Sequence, residues 1–367
     1  MSAFHSPGQM RFFALSSSVP RSLSHDRSGA GVVTLRPARE AISLSKRTCD
    51  QSSLQMLALW LNTGRYSCKL DVIHWLRQPF FVLTPGMEDP ELEPLRLLVN
   101  SVPVDDFCGL SPSEMHRLLY GPFGERSPLQ LRANIAEQTL ETIPFLRLTE
   151  EFLKIIQRDG CIKLTPLGAL PRKTLRELYE HKFILEYMIE SGISKLTREV
   201  DSIAIASMRL NTELMGLTKK AKGKLTLTRQ GIKLLQTDRR RELFVLMLQT
   251  FTGKFNWAYN DCYTEFQVGQ LGWAFSIYLL LRFGNKQETI QFYAYKYVKA
   301  FPAMLQQFRK PYMDPPIKWF ALCYNIRTFG RFLEWFGFVK IDPHKDSDRL
   351  QAMLVRTQTL TEVFIFE

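Results

Sequence analysis

The chain has 367 residues, enough for two or three domains that each bury a core, and its 45% hydrophobic and 23% charged residues are ordinary for a soluble globular protein. Its formal net charge of +12 is unevenly placed: residues 1–86 hold 10 Lys/Arg against 4 Asp/Glu, 87–160 hold 7 against 13, 161–243 hold 17 against 9, and 244–367 hold 14 against 10. Six scattered cysteines without a C-x-x-C pair argue against a disulfide framework or structural zinc and fit a cytoplasmic setting, and the longest apolar run, Val268–Leu281, falls short of the roughly 20 residues of a membrane span, so no membrane partner is expected.

In chain order, residues 1–86 are Ser/Arg-rich and acid-poor, without sustained periodicity. They read as a disordered extension, a transit peptide, or sequence upstream of a true start at Met87, where Glu-Asp-Pro-Glu-Leu-Glu makes a good acidic helix start. The apolar patch from Val72 to Leu83 speaks against that division. Ser111-Pro-Ser-Glu predicts a helix N-cap with Pro at the first helical position and Glu at the third. Phe152, Leu153 and Ile156 share one face of a helix that Asp159-Gly160 ends. Leu175, Leu178, Tyr179, Phe183 and Tyr187 mark a long helix after Pro171, and Ile203 to Leu217 line the next. Aromatic-rich helices follow around 242–257, 269–283, 287–308 and 315–336, and the chain closes with a hairpin whose turn is Asp346-Ser-Asp348.

One pentapeptide, Leu-Thr-x-x-Gly, occurs twice, at Leu164–Gly168 and Leu227–Gly231. Each copy closes a β-like run and leads toward a helix, the order in which the wing of a winged-helix unit reads. The expected fold is therefore mainly α, with tandem winged-helix-like units at 87–180 and 181–243 and an aromatic-rich helical half at 244–367 that ends in a third wing-like hairpin. In the second unit Glu199–Met215 is the expected recognition helix, with Arg209, Asn211 and Thr212 as candidates for base contact. Lys219, Lys220, Lys222 and Lys224 crowd the hairpin after it, followed by Arg229 and Lys233. Lysines suit phosphate because they are point charges that release counterions from the backbone. The first unit, whose helix carries Glu150 and Glu151, and the third, with acids at its tip, are expected to pack or to meet a protein.

At Gly109-Leu-Ser-Pro-Ser-Glu-Met-His-Arg-Leu-Leu-Tyr, Ile162-Lys-Leu-Thr-Pro-Leu-Gly-Ala-Leu-Pro-Arg-Lys and Phe255-Asn-Trp-Ala-Tyr-Asn-Asp, the chain resembles a family of uncharacterised bacterial proteins. The likeness covers residues 105–367 and leaves out the first 86; it implies no activity, cofactor or catalytic residue.

The sequence holds no metal-binding histidine pair, Walker loop, G-x-G-x-x-G or G-x-S-x-G, so no catalytic residue, metal or cofactor is assigned. Asn256, Trp257, Asn260 and Asp261, beside Cys262, form the densest candidate pocket, against the reading that Phe255, Trp257 and Tyr259 are core aromatics and Asn260-Asp261 ends a helix. Tyr293, Tyr295 and Tyr297 alternate as an exposed stripe would. The expectation is a non-catalytic binding protein that meets double-stranded DNA through the basic wing at 217–229. The alternatives are a protein–protein scaffold and, third, an enzyme with its pocket near 256–262.

Overall fold

The computed structural model describes residues 93–259, 261, 263, 267–309, 315–342 and 349–367. The extension at 1–86 with the start at Met87, Asn260, Cys262 and the Asp346–Asp348 turn lie outside them. Ser111 begins a helix as its sequence dictates: its hydroxyl accepts from the Glu114 amide and its own amide donates to Glu114 Oε2 at 2.7 Å, a reciprocal capping box. After α1 (Glu93–Ser101), this helix is α2 (Pro112–Tyr120), and β1 (Leu129–Leu131) and α3 (Glu137–Glu141) follow.

A first group of elements then forms around one amphipathic helix. α4 (Pro144–Asp159) buries Phe145, Leu146, Phe152, Leu153 and Ile156 on one side and stops at Gly160, whose φ of 71° lets the chain turn back into β2 (Ile162–Lys163). α5 (Arg172–Glu180) ends earlier than its apolar spacing predicts. Lys182 takes a left-handed conformation (φ 53°), so Phe183 and Tyr187 leave the helix and a single turn, α6 (Tyr187–Glu190), stands apart. Ser202 caps α7 (Ile203–Leu214), after which β3 (Thr218–Ala221), β4 (Lys224–Leu227) and α8 (Arg229–Leu234) complete the group.

The second Leu-Thr-x-x-Gly segment closes the β3–β4 hairpin, but the first has no hairpin of its own. β2 pairs antiparallel with β4 (Ile162 opposite Leu225, Lys163 opposite Lys224), and β4 pairs with β3, giving a sheet of order β2-β4-β3. The repeated pentapeptides have also become different structures. The first is a tight turn: Gly168 (φ 78°) donates to the Thr165 carbonyl and the Thr165 hydroxyl accepts from the Ala169 amide. The second is a helix start, with Thr228 capping α8 through the Gly231 amide at 3.1 Å.

α9 (Arg240–Gly253) leads into the C-terminal half, and there the arrangement recurs. α10 (Trp273–Phe283), β5 (Glu288–Thr289), α11 (Ile290–Ala300), α12 (Pro316–Tyr324, continuing as a π-helix over Asn325–Leu333), β6 (Val339–Ile341), β7 (Met353–Arg356) and α13 (Gln358–Val363) follow the order of α4 to α8, with a 3-10 helix at Pro302–Phe308 in the place of α6. The sheet order is again first strand, third, second: β5-β7-β6. Details of bonding repeat as well. Gly216 and Gly337, both left-handed, precede the second strand of each sheet; Thr228 and Thr357 each send a hydroxyl to that glycine's carbonyl, at 2.7 and 2.6 Å, and each donates its amide to the next residue, Leu217 or Phe338. Lastly, β8 (Phe364–Phe366) pairs with β1.

The two groups share a core. Phe251 of α9 lies 5.3 Å from Phe145 of α4 and 5.3 Å from Phe336 of the C-terminal group, with Phe255, Trp257, Phe332 and Trp335 around it. Arg240 fixes the start of α9 to α4 through Glu150 (2.5 Å), both side chains 11% exposed, and also reaches Glu141, whose carboxyl its hydrogen bond holds below the usual carboxylate range. Tyr293 and Tyr297, four apart on a helix, are buried and only Tyr295 is exposed, which corrects the expected aromatic stripe. The fold is thus mainly helical, with small sheets and an aromatic-rich C-terminal half. Among the described residues no helix is long and apolar enough to cross a membrane.

Gly231 provides a test of the shared sheet. A Cβ there would collide with the Leu217 backbone carbonyl. Gly231→Ala should therefore lower the unfolding free energy by about 1–3 kcal/mol in a urea titration, although alanine favours helix intrinsically.

Candidate nucleic-acid interface

The lysine hairpin is built by its turn. Lys222 (φ 49°) and Gly223 (φ 70°) are both left-handed, the two-residue geometry whose twist matches that of the flanking strands. Strand alternation then sorts the side chains. Ile162, Thr218 and Leu225 face the core and are buried, while Lys163, Lys219, Ala221 and Lys224 share the outer face and are exposed. Lys220 has the inward register but lies at the sheet's open end, its ammonium against Gly168 of the first pentapeptide turn.

Five lysines (Lys163, Lys219, Lys220, Lys222 and Lys224) therefore lie on one sheet and its turn. Among the described residues none has a carboxylate oxygen within 4.0 Å of its nitrogen. Lys163 stands directly opposite Lys224, and like charges at opposed sheet positions repel. Arg229 and Lys233 on α8 are exposed beside this sheet's last strand. Lys163 is the member that sequence reading missed as part of this cluster. It lies 56 positions before Lys219, and only strand pairing brings it in; the signal was the β-like Ile162-Lys-Leu-Thr, which could equally have paired elsewhere.

The candidates for base contact are placed differently. Arg209, its side chain 14% exposed, binds Glu199 at 2.7 Å and Glu213 at 3.0 Å. Thr212 is fully buried and donates to the Arg209 carbonyl, and Asn211 is 1% exposed. The expectation that these residues face a partner is thus corrected: α7 packs between α4 and α9 and buries Ala204, Ile205, Ala206, Ser207 and Met208 as well. Ile203–Ala206 are consecutive apolar residues and Met208 follows after Ser207, itself buried, so burial covers most of the circumference at this end of the helix. The turn before α7 is tied down by Asp201: burial alone would raise its pKa, but the amides of Arg198 and Thr197 outweigh that and hold it at about 2.

The pocket candidates are occupied by the core. Trp257 is 2% exposed and donates its indole N–H to the Phe251 carbonyl at 2.8 Å. Asn256 Oδ1 accepts from the Ala258 amide, and Asp261 receives Arg327 Nε at 2.7 Å in a pair whose side chains are 3% and 0% exposed. Trp257, against Phe332, and Asp261, against Arg327, thus pack on the π-helical turn. Asn260 lies outside the described residues.

Residues 141–240 match the family model of the Y4jL N-terminal domain. That segment runs from the end of α3 to the first residue of α9 and contains the whole β2-β4-β3 sheet with all five lysines. No curated protein and no solved structure matches the chain.

Because the lysines are exposed and, among the described residues, unpaired, replacing Lys219, Lys220, Lys222 and Lys224 together by Gln should change stability by no more than about 0.5 kcal/mol per site. Arg209→Met should cost about 3 kcal/mol, since Glu199 keeps a buried charge without its guanidinium. Thermal melts of the two variants, followed by circular dichroism, check both.

Proposed function

We propose that this chain is a non-catalytic, cytoplasmic nucleic-acid-binding protein whose contact surface is the basic hairpin at 217–229 together with Lys163. The observation that carries the reading is the set of five exposed lysines gathered on one small sheet and its turn, without carboxylate partners among the described residues. A polyanion there would relieve the repulsion between Lys163 and Lys224 and release counterions. We read residues 144–227 as a winged-helix unit, since helix, strand, helix, helix and hairpin follow one another with the first strand beside the last. In that reading the hairpin is the wing, and residues 273–356 form a second such unit.

The enclosure of α7 favours a second reading, a protein-interaction scaffold. Leu185, Tyr187, Met188 and Ile193, on the long connection that leads to α7, are each about half exposed or more. In that case the hairpin is only a solvated turn.

Fluorescence anisotropy of a labelled DNA duplex with the full chain separates the two. Binding should weaken about tenfold or more between roughly 50 and 200 mM salt, as several phosphate contacts require. It should be lost when Lys219, Lys220, Lys222 and Lys224 are replaced by Glu. An absence of binding at low salt would reject the nucleic-acid reading in favour of the scaffold.

A further inference from the structure

We infer that the ligand is duplex DNA held by its phosphate backbone without regard to base sequence, and that the first of the two repeated sheets alone makes the contact. The inference rests on the nucleic-acid reading above and specifies how the ligand is read.

The internal repeat supplies a comparison within one molecule. Registers align through the paired strands, so Lys163 opposite Lys224 in the first sheet corresponds to Thr289 opposite Met353 in the second. Lys220 opposite Leu225 corresponds to Ile341 opposite Leu354, and Lys219 opposite Thr226 corresponds to Lys340 opposite Val355. The same three-stranded arrangement therefore forms with a neutral residue at three of the four positions where the first sheet has lysine. Nothing in the geometry of the sheet demands those charges, and a solvated face does not need them crowded against one another. Lys340, exposed on the second sheet, is the one charge that the two faces share.

Sequence-independent reading follows from what each sheet has beside it. Base edges in a major groove are read by a helix or ribbon with exposed polar side chains. The helix before the first hairpin, α7, buries Thr212 and Asn211 and commits Arg209 to two carboxylates. The helix before the second hairpin, α12 with its π-helical continuation, buries Phe320, Cys323, Tyr324, Arg327 and Thr328. The charges exposed on the sheet and its turn are all lysines, which meet phosphate as point charges. Single strands are held by stacking on aromatic rings, and the outer face of Lys163, Lys219, Ala221, Lys224 and Thr226 carries none. A duplex, whose phosphates are already arrayed, is the ligand that such a face fits.

The test is a salt series with the full chain on duplexes of equal length made only of A·T or only of G·C pairs, with a single-stranded oligo(dT) alongside. Affinities for the two duplexes should agree within about twofold, and the single strand should bind more weakly. Lys163→Glu should lower affinity for both duplexes alike and reduce the slope of log K against log salt by about 1, the loss of one phosphate contact. Lys340→Glu should leave affinity and slope unchanged. A tenfold or larger preference for one duplex, tighter binding of the single strand, or an effect of Lys340→Glu as large as that of Lys163→Glu would overturn the inference while leaving nucleic-acid binding in place. If no nucleic acid binds, the underlying reading fails and this one falls with it.

Discussion

Everything proposed for this protein depends on one pairing, that of β2 with β4. Two residue pairs, Ile162 with Leu225 and Lys163 with Lys224, join segments about sixty positions apart. On the inner face they place Ile162 and Leu225 in the core beside α4, so the pairing is held by apolar burial. On the outer face the second pair sets lysine against lysine. The favourable and the unfavourable halves of the interaction cannot be separated, because in a strand neighbouring side chains must point opposite ways. The core therefore turns positions 163 and 224 to the solvent side together, in this chain two lysines, and among the described residues neither has a carboxylate oxygen within 4.0 Å.

The second sheet shows that this concentration is a property of sequence and not of fold. Both groups share the left-handed glycine before the second strand, the threonine that caps the final short helix, and the bond from that threonine back to the glycine. These are backbone constraints, and they recur. Three of the four strand charges do not: Thr289, Met353 and Ile341 stand where Lys163, Lys224 and Lys220 stand, and only Lys219 has a charged counterpart, Lys340. The second group instead serves the core, presenting Phe332 and Phe336 to Phe251, which in turn meets Phe145 of the first. In the proposed function this becomes a division of labour, the first sheet meeting an anionic partner and the second group belonging to the scaffold that holds it.

Much of the local structure was legible in the residues. The Ser111 capping box, the Gly160 stop, the turn at Gly223 and the aromatic helices beyond Arg240 depend on near neighbours, and each is present. What the residues hid was non-local. Leu164–Gly168 and Leu227–Gly231 read alike, yet Pro171, just beyond the first, would fall inside a helix begun at Pro166 and leaves that segment a turn, while Thr228 can cap the second. The position of Lys163 in the basic cluster depends on a strand partner that no short-range signal names. Likewise Arg209 and Thr212 look suited to base contact on a free helix, and only the packing of α9 and α4 on α7 reveals that they point inward. The aromatic alternation at Tyr293, Tyr295 and Tyr297 misled for a related reason: in a helix, residues four apart share a face, so two of the three are core.

The most direct measurement is lysine reactivity. The full chain would be acetylated briefly with and without saturating duplex DNA, and the modification at each lysine quantified by mass spectrometry. The account predicts that Lys163, Lys219, Lys220, Lys222 and Lys224 are all reactive in the free protein and become protected together, while Lys340 stays reactive. Unchanged reactivity of those five with DNA bound, or protection of Lys340 in their place, would contradict it.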